Sequence, residues 1–433
     1  MKKIIYKQVA FGVRSLSNLI SPIYDDLNEG GRFYLNICRA YGAEAYIRRH
    51  GVWSDPWETS IEQNLIMPEY DNNFKETFED VTDNRANDIK KLMHSTDKNI
   101  ILFYSGGIDS TVCLVSILKN FNSEELKKFK VSMSFDSIIE NPIFYQKFIK
   151  DKIQIIDTMK FKYTDHVDSE NAVCITADLG DFIYGTELGV KLYPQITNFA
   201  KKLGITDPIE NLTFKISSSD THYSRYKDIL ISYFNSNLEN GMRNFSQYYI
   251  PNNLKIISEN DKKFGELFYE KIHKNIISSK VPVYTLHDFF WWSMFNMRFT
   301  WGALRPGMNY GTHDNMKKTI QEGIVNWYGS KKYQLWSMNN NNNGEKINGS
   351  LQTSYKWASR KYIYQFDKNE WYRKNKMKMP SMPAVYRRHW KKNFENFDKK
   401  FGIDEDYLVL KIDDPGVNDF IIEGISNYKI NWI

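Results

Sequence analysis

Ser105-Gly106-Gly107-Ile108-Asp109-Ser110 is the stretch on which the reading of this chain turns. The apolar run 100–104 before it reads as a buried strand, and 111–118 after it has the spacing of a helix. A strand, a tight glycine turn and a helix N-terminus together make an anion site. The unpaired first N–H groups of the helix and its macrodipole both point at whatever fills the turn. Gly106 and Gly107 let the backbone approach a phosphate with no Cβ in the way. Ser105 and Ser110 add hydroxyl donors, and Asp109 adds a carboxylate able to reach a metal or cap the helix. The spacing excludes a Walker A loop, which needs Gly-Lys-Ser/Thr, and the three-glycine Rossmann turn.

Working outward, strands alternate with helices from 98 to about 195. After the first strand come Val131–Phe135, then a helix opened by Asn141-Pro142 and running to Lys150, then strands Ile153–Asp157 and Ala172–Thr176. Alternation of this kind predicts an α/β domain with a parallel sheet and helices on both faces. In such sheets ligands sit at the carboxyl ends of the strands, where every polar turn singled out here lies. A polar helix over 75–94 leads into the first strand, and 31–41 shows helical spacing. Residues 200–330 read as mostly helical, and the asparagine run 339–343 as a loop. The spacing divides the chain into 1–74, a mixed region of unassigned role; 75–200, the α/β core; 201–400, a helical and aromatic-rich part; and 401–433, a C-terminal segment.

Bulk properties narrow the class. The chain has 433 residues, enough for two or three domains or one large domain with additions, and 15% of them are aromatic. No stretch has the apolar length to cross a bilayer, and the basic start lacks a signal peptide's apolar core, so no membrane association is expected. Cys38, Cys113 and Cys174 form no CxxC pair, which argues against a disulfide framework or structural zinc and points to a cytoplasmic protein. A net charge of +6 suits a polyanionic ligand such as ATP.

A second polar turn follows the Ala172–Thr176 strand: Thr176-Ala177-Asp178-Leu179-Gly180-Asp181-Phe182. Two carboxylates three residues apart at a strand end suit Mg²⁺, which takes one or two carboxylates plus phosphate oxygens. The alternative is an Asx turn between strand and helix. With both turns in view, the chain resembles the N-type ATP pyrophosphatases, or PP-loop enzymes. The 105–110 hexapeptide resembles their SGGxDS loop, and 176–182 resembles the second ATP motif of asparagine synthetases. The sequence departs from that motif at Ala177, where Gly is usual, and at Phe182, where Glu is usual. Two later segments carry the likeness further. Lys361-Tyr-Ile-Tyr364 resembles a Lys-x-x-Leu-Arg helix with Tyr364-Gln365 in place of Leu-Arg, and Lys374 to Pro380 resembles Lys-x-Gly-Phe-x-x-Pro without the Gly-Phe.

The resemblance implies a PP-loop, adenine nucleotide α-hydrolase-like domain with a helical C-terminal subdomain. It implies an enzyme that adenylates a carboxylate, releasing pyrophosphate, and then forms an amide. ATP would bind at Ser105, Gly106, Gly107, Asp109 and Ser110, with adenine against the backbone near Ser132 and Ser134. Asp109 and Asp181 would hold Mg²⁺, Asp178 would be the catalytic acid–base group, and Lys361 and Lys374 would neutralise the departing pyrophosphate. The N-terminal cysteine of a glutaminase domain is missing: Met1 is followed by Lys2. The nitrogen would therefore come from free ammonia, another amine or a separate amine-supplying subunit.

Two further features compete for function. The run Asp288–Trp301 is aromatic enough to line an acceptor pocket through Trp292 and Arg298, but a buried helix accounts for it better. Arg298 and Arg305 remain candidate carboxylate clamps. The basic, aromatic segments 372–378 and 387–392 suit a nucleic-acid backbone, a polyphosphate site or plain solubility. The alternatives to a ligase are thus a PP-loop enzyme that modifies a nucleic-acid base and a non-catalytic nucleotide-binding protein.

Overall fold

The structure is a computed structural model, and it describes residues 67–157, 171–184, most of 196–204, 224–239 and 263–299, then 323–340 and 356–376. The described residues form a five-stranded sheet in which all strands run parallel. Helix α1 (Phe78–Thr96) leads into β1 (Asn99–Phe103), and α2 (Ile108–Asn120) follows. Then come α3 (Ser123–Lys127), β2 (Phe129–Met133) and α4 (Phe135–Glu140). A short helical segment over 142–149 leads to β3 (Gln154–Asp157). After β4 (Ala172–Thr176) come α5 (Gly180–Tyr184), α6 (Lys227–Glu239), α7 (Phe264–Ser279) and α8 (Leu286–Met297). The last described elements are β5 (Ile324–Asn326), α9 (Lys331–Asn340), α10 (Trp357–Asp367) and α11 (Glu370–Asn375).

The strand order is β3-β2-β1-β4-β5. The chain therefore winds outward from β1 in one direction and then returns to lay β4 against its other side. That reversal between β1 and β4 is the switch point, and the crevice outside the carboxyl ends of such strands is where an open α/β sheet receives its ligand. The register sets Phe103 opposite Ser132 on one side and Leu102 opposite Ile175 on the other. Every residue of β4 is buried, as is the middle of β1, so both faces of these strands are covered. On one face Ile101, Ile156, Ala172, Cys174 and Ile324 pack together with Phe103.

Local chemistry explains most element ends. Thr77 and Asp80 form a reciprocal capping box that starts α1. The second strand, expected to reach Phe135, stops at Met133. Ser134 is extended and donates its N–H to the Ser137 hydroxyl at 3.2 Å, so Phe135 opens a helix. Asn141 caps the segment that begins at Pro142. Strand β5 falls in a region expected to be helical. It has three residues, too few to display a period of two, and it is held from outside: Arg85 donates to the carbonyls of Asn326 at 2.8 Å and Trp327 at 3.0 Å. Asn339 and Asn340, expected in a loop, end α9.

Contacts divide the chain into two compact units. One comprises Lys75–Gly180, Pro306–Tyr333 and Glu345–Ile433 and contains the sheet; the other comprises Met1–Phe74, Asp181–Arg305 and Gln334–Gly344. In the second of these, α7 approaches α6 at Gly265, whose N–H donates to Asn235 Oδ1 at 2.8 Å. Helix α8 is buried along Asp288–Asn296. Its Trp291 stacks on Phe295 with ring centroids 5.2 Å apart, and Trp292 donates to Asn275 Oδ1 at 2.8 Å. The Asp288–Asn296 part of the aromatic run is thus core, and Trp292 is fully inside it. Residues 31–41, Arg298, Arg305 and 387–392 lie outside the described residues. No helix among the described residues is long and apolar enough to cross a membrane.

Candidate functional site

The turn between β1 and α2 is cross-linked by its own hydroxyls. Ser105 Oγ and Ser110 Oγ lie 3.1 Å apart, and Ser110 Oγ also accepts from the Ser105 N–H at 3.2 Å. The Gly107 N–H donates to Ser105 Oγ at 3.3 Å. Thr111 Oγ1 donates to the Gly107 carbonyl at 2.8 Å and so ties the first turn of α2 to its N-cap. Gly106 has φ +76°, a conformation side chains rarely adopt, and a Cβ there would collide with the Ser137 carbonyl oxygen and sit 2.7 Å from Glu140 Cβ. Helix α4 therefore lies directly against the turn. Ser105 is exposed, while Gly106, Ile108 and Ser110 are buried. What opens outward is a serine hydroxyl and the start of a 13-residue helix whose first N–H groups have no intrahelical acceptor.

The second turn meets the first. Gly180, at the start of α5, has the Asp109 carboxyl group packed against its α-carbon, and a Cβ on Gly180 would overlap both Asp109 Cγ and Oδ1. The two glycine-bearing motifs are thus complementary in shape: one supplies the carboxylate, the other the space for it. Upstream, the Asp178 N–H donates to Thr176 Oγ1 at 3.3 Å and the Gly180 N–H donates to the Ala177 carbonyl at 3.0 Å. Asp178 is half-buried in this turn. Asp181 is in the first turn of α5, and the Phe182 side chain beside it is buried, edge-on to Phe299 with centroids 6.5 Å apart.

Two buried lysines reach the same turn from the chain's later half. Lys356 Nζ is ion-paired with Asp109 Oδ2, and the lysine side chain is only 3% exposed. Lys376 Nζ is 2.6 Å from Glu140 Oε2, with exposures of 2% and 12%. Glu140 is the residue whose Cβ crowds Gly106, so the second pair stands beside the glycine turn. Breaking a buried pair by removing one partner costs about 3–5 kcal/mol, so these contacts hold the 356–376 segment to the turn. Lys356 also adopts φ 54° at the N-cap of α10. N-caps are ordinarily extended. Asp97, Lys280 and Lys368 have positive φ as well, but at helix C-caps, where it is usual.

Below the turn lie two buried phenols. Tyr372 OH donates to the Gly106 carbonyl at 3.4 Å, and Tyr104 OH is 3.5 Å from Thr111 Oγ1. Burial pushes both phenols above their ordinary range, so they remain protonated donors. Tyr328 OH donates to the Asp109 carbonyl at 3.0 Å. Burial likewise raises the Cys113 thiol and pushes Cys174 up to about 12, so neither is a thiolate nucleophile near neutral pH.

The structure brings Ser105, Gly106, Gly107, Asp109 and Ser110 into one turn. Ser132 stands in β2, where its carbonyl accepts from the Tyr104 N–H at 2.9 Å, and Ser134 follows the strand's carboxyl end. Lys361 and Lys374 are not brought to the turn by any contact described here. Both are exposed, and Lys374 pairs with Glu370 at 3.0 Å. Sequence reading missed Lys356, Lys376 and Glu140. Nothing around Lys356 signals its role, whereas Lys376 lies two residues beyond Lys374 in the same basic run. Among the described residues no group of three or more His, Cys, Asp and Glu side chains could hold a metal. Magnesium needs fewer protein ligands when phosphate supplies the rest, and the half-buried Asp109 carboxylate is a donor of the right kind. No protein-family model, curated protein or solved structure matches the chain.

Proposed function

We propose that the chain is an ATP-dependent, amide-forming ligase of the PP-loop, asparagine-synthetase-like type. One observation carries the reading: a serine-glycine turn at the carboxyl end of the central strand, at the sheet's switch point, with two buried lysines ion-paired beside it. A turn built to meet a nucleoside polyphosphate needs these parts: N–H donors, hydroxyls, room for backbone approach and positive charge nearby. A cytosolic setting suits such an enzyme.

In this reading the first N–H groups of α2 and the hydroxyls of Ser105 and Ser110 receive the phosphates, and the edge at Ser132 and Ser134 receives adenine. The substrate carboxylate attacks the α-phosphorus and pyrophosphate leaves. Ammonia or an amine then attacks the acyl carbon, AMP leaves with the carbon–oxygen electron pair, and Asp178 accepts the proton the amine loses. The neutralising role expected of Lys361 and Lys374 we assign to Lys356 and Lys376, whose ammonium groups are already desolvated and need only exchange a carboxylate for a phosphate. Magnesium, for which Asp109 would be the carboxylate ligand in the turn, would supply further positive charge to the phosphates. Most of the acceleration is positioning and charge stabilisation.

The test is pyrophosphate–ATP exchange screened over amino acids and other carboxylates. Exchange with one acid, abolished in Ser105→Ala, is the expected result. ADP as sole product, or AMP formation intact in Ser105→Ala, sinks the proposal. Exchange that requires RNA or DNA instead of a small acid would favour a nucleic-acid substrate, and binding without turnover a non-catalytic protein. The burial of Phe182 at the motif's usual Glu position is the observation behind that last arm.

A further inference from the structure

Arg360 is buried to 2% exposure on the first full turn of α10, and its N–H donates to the Lys356 carbonyl at 3.0 Å. Its guanidinium forks onto two backbone carbonyls at the end of the next helix. One amino group donates to the Arg373 carbonyl at 2.9 Å, and the other to the carbonyl of Lys376, the C-cap of α11. The last carbonyls of a helix have no intrahelical donors and carry the negative end of its dipole, so a cation there is favourable. Burying a guanidinium costs several kcal/mol before its hydrogen bonds are counted. A glycine or a water molecule would cap α11 at lower cost. What the fork adds is direction: it fixes the backbone of Lys376 itself, and from there the ammonium reaches Glu140 beside Gly106. Lys374, with its side chain 61% exposed, is on the same helix two residues earlier.

We propose that Arg360 is a positioning residue: it orients the C-terminus of α11 so that Lys376, rather than a neighbouring lysine, serves the phosphate turn. With Lys356 at the N-cap of α10, one helix start then sets both cations of the site. The role of Lys376 toward phosphate rests on the ATP reading above; its placement by Arg360 does not.

The experiment has two readouts on the full chain. The first is acetylation by an N-hydroxysuccinimide ester, mapped by mass spectrometry, with exposed Lys361 and Lys374 as internal references. In the wild type Lys356 and Lys376 should be protected. Arg360→Met should expose Lys376 to reaction while Lys356 stays protected. Arg360→Lys, which keeps the charge and loses the fork, should give an intermediate rate and carries the comparison if the methionine variant does not fold. The second readout is the KM for ATP in pyrophosphate exchange. It should rise about tenfold in Arg360→Met, the loss expected for one charge-assisted hydrogen bond. It should rise no further in Arg360→Met combined with Lys376→Met than in Lys376→Met alone. Lys376 protected in both Arg360 variants, or Lys356 and Lys376 exposed together, overturns the proposal. A wild type without exchange on any acid defeats the ATP reading, and the labelling then decides Arg360 alone.

Discussion

The chain leaves its two central strands in different ways. After β1 it makes a turn whose tightness is a property of the backbone: Gly106 at φ +76° lies against the Ser137 carbonyl, and three hydroxyl-bearing side chains, Ser105, Ser110 and Thr111, close it. A helix of 13 residues follows. After β4 it makes a looser turn through Thr176 and Ala177 into a helix of five residues. At its glycine, Gly180, the atoms a Cβ would meet first belong to a side chain, the Asp109 carboxyl group from the first turn. The first junction is built to present donors and the second to leave room. A site made this way has its shape set by backbone on one side and by a replaceable side chain on the other.

That contrast can be broken by substitution. The largest effect should come from Asp109→Ala, which leaves the Lys356 ammonium buried without the carboxylate opposite it. We expect a loss of about 3–5 kcal/mol by urea denaturation. Next comes Gly106→Ala, at about 3 kcal/mol from positive φ and collision together. Adding Glu140→Ala should not rescue it, because the Ser137 carbonyl is backbone; recovery in that double variant would show that the two glycines are alike. Gly180→Ala should cost about 2 kcal/mol in the wild type and less than about 1 kcal/mol in an Asp109→Ala background, since the two nearest clashing atoms, Cγ and Oδ1, are then gone and only the residue 109 Cβ, 2.9 Å away, has to give. Equal costs in the two backgrounds would mean that Gly180 serves something other than Asp109. The smallest stability effect belongs to Ser105→Ala, under about 1 kcal/mol because the side chain is exposed. It should nonetheless remove pyrophosphate exchange, separating presentation of the ligand from folding.

Legibility in the sequence followed the same division. The residues of both junctions could be read in advance because strand, turn and cap preferences act over a few neighbours. Strand β4 has the expected bounds, and Ser105 to Ser110 forms the expected turn. Phe135 was harder, since Ser134 and Ser137 turn the end of an alternating run into a helix start through local hydrogen bonds. Lys361 and Lys374 look like site lysines by motif, yet both are exposed. Lys356 and Lys376 face the turn through contacts spanning 247 and 236 positions, for which no local pattern exists.

By itself the sequence determined a parallel α/β core with a glycine-serine turn after its first strand, because periodicity and turn chemistry are local. Only the tertiary structure decided that β4 lies beside β1, that a three-residue strand closes the sheet's other edge, and which lysines reach the turn. Those outcomes depend on which distant surfaces exclude water together. A buried ammonium must find its carboxylate wherever the fold has placed one, and sequence distance has no bearing on that search.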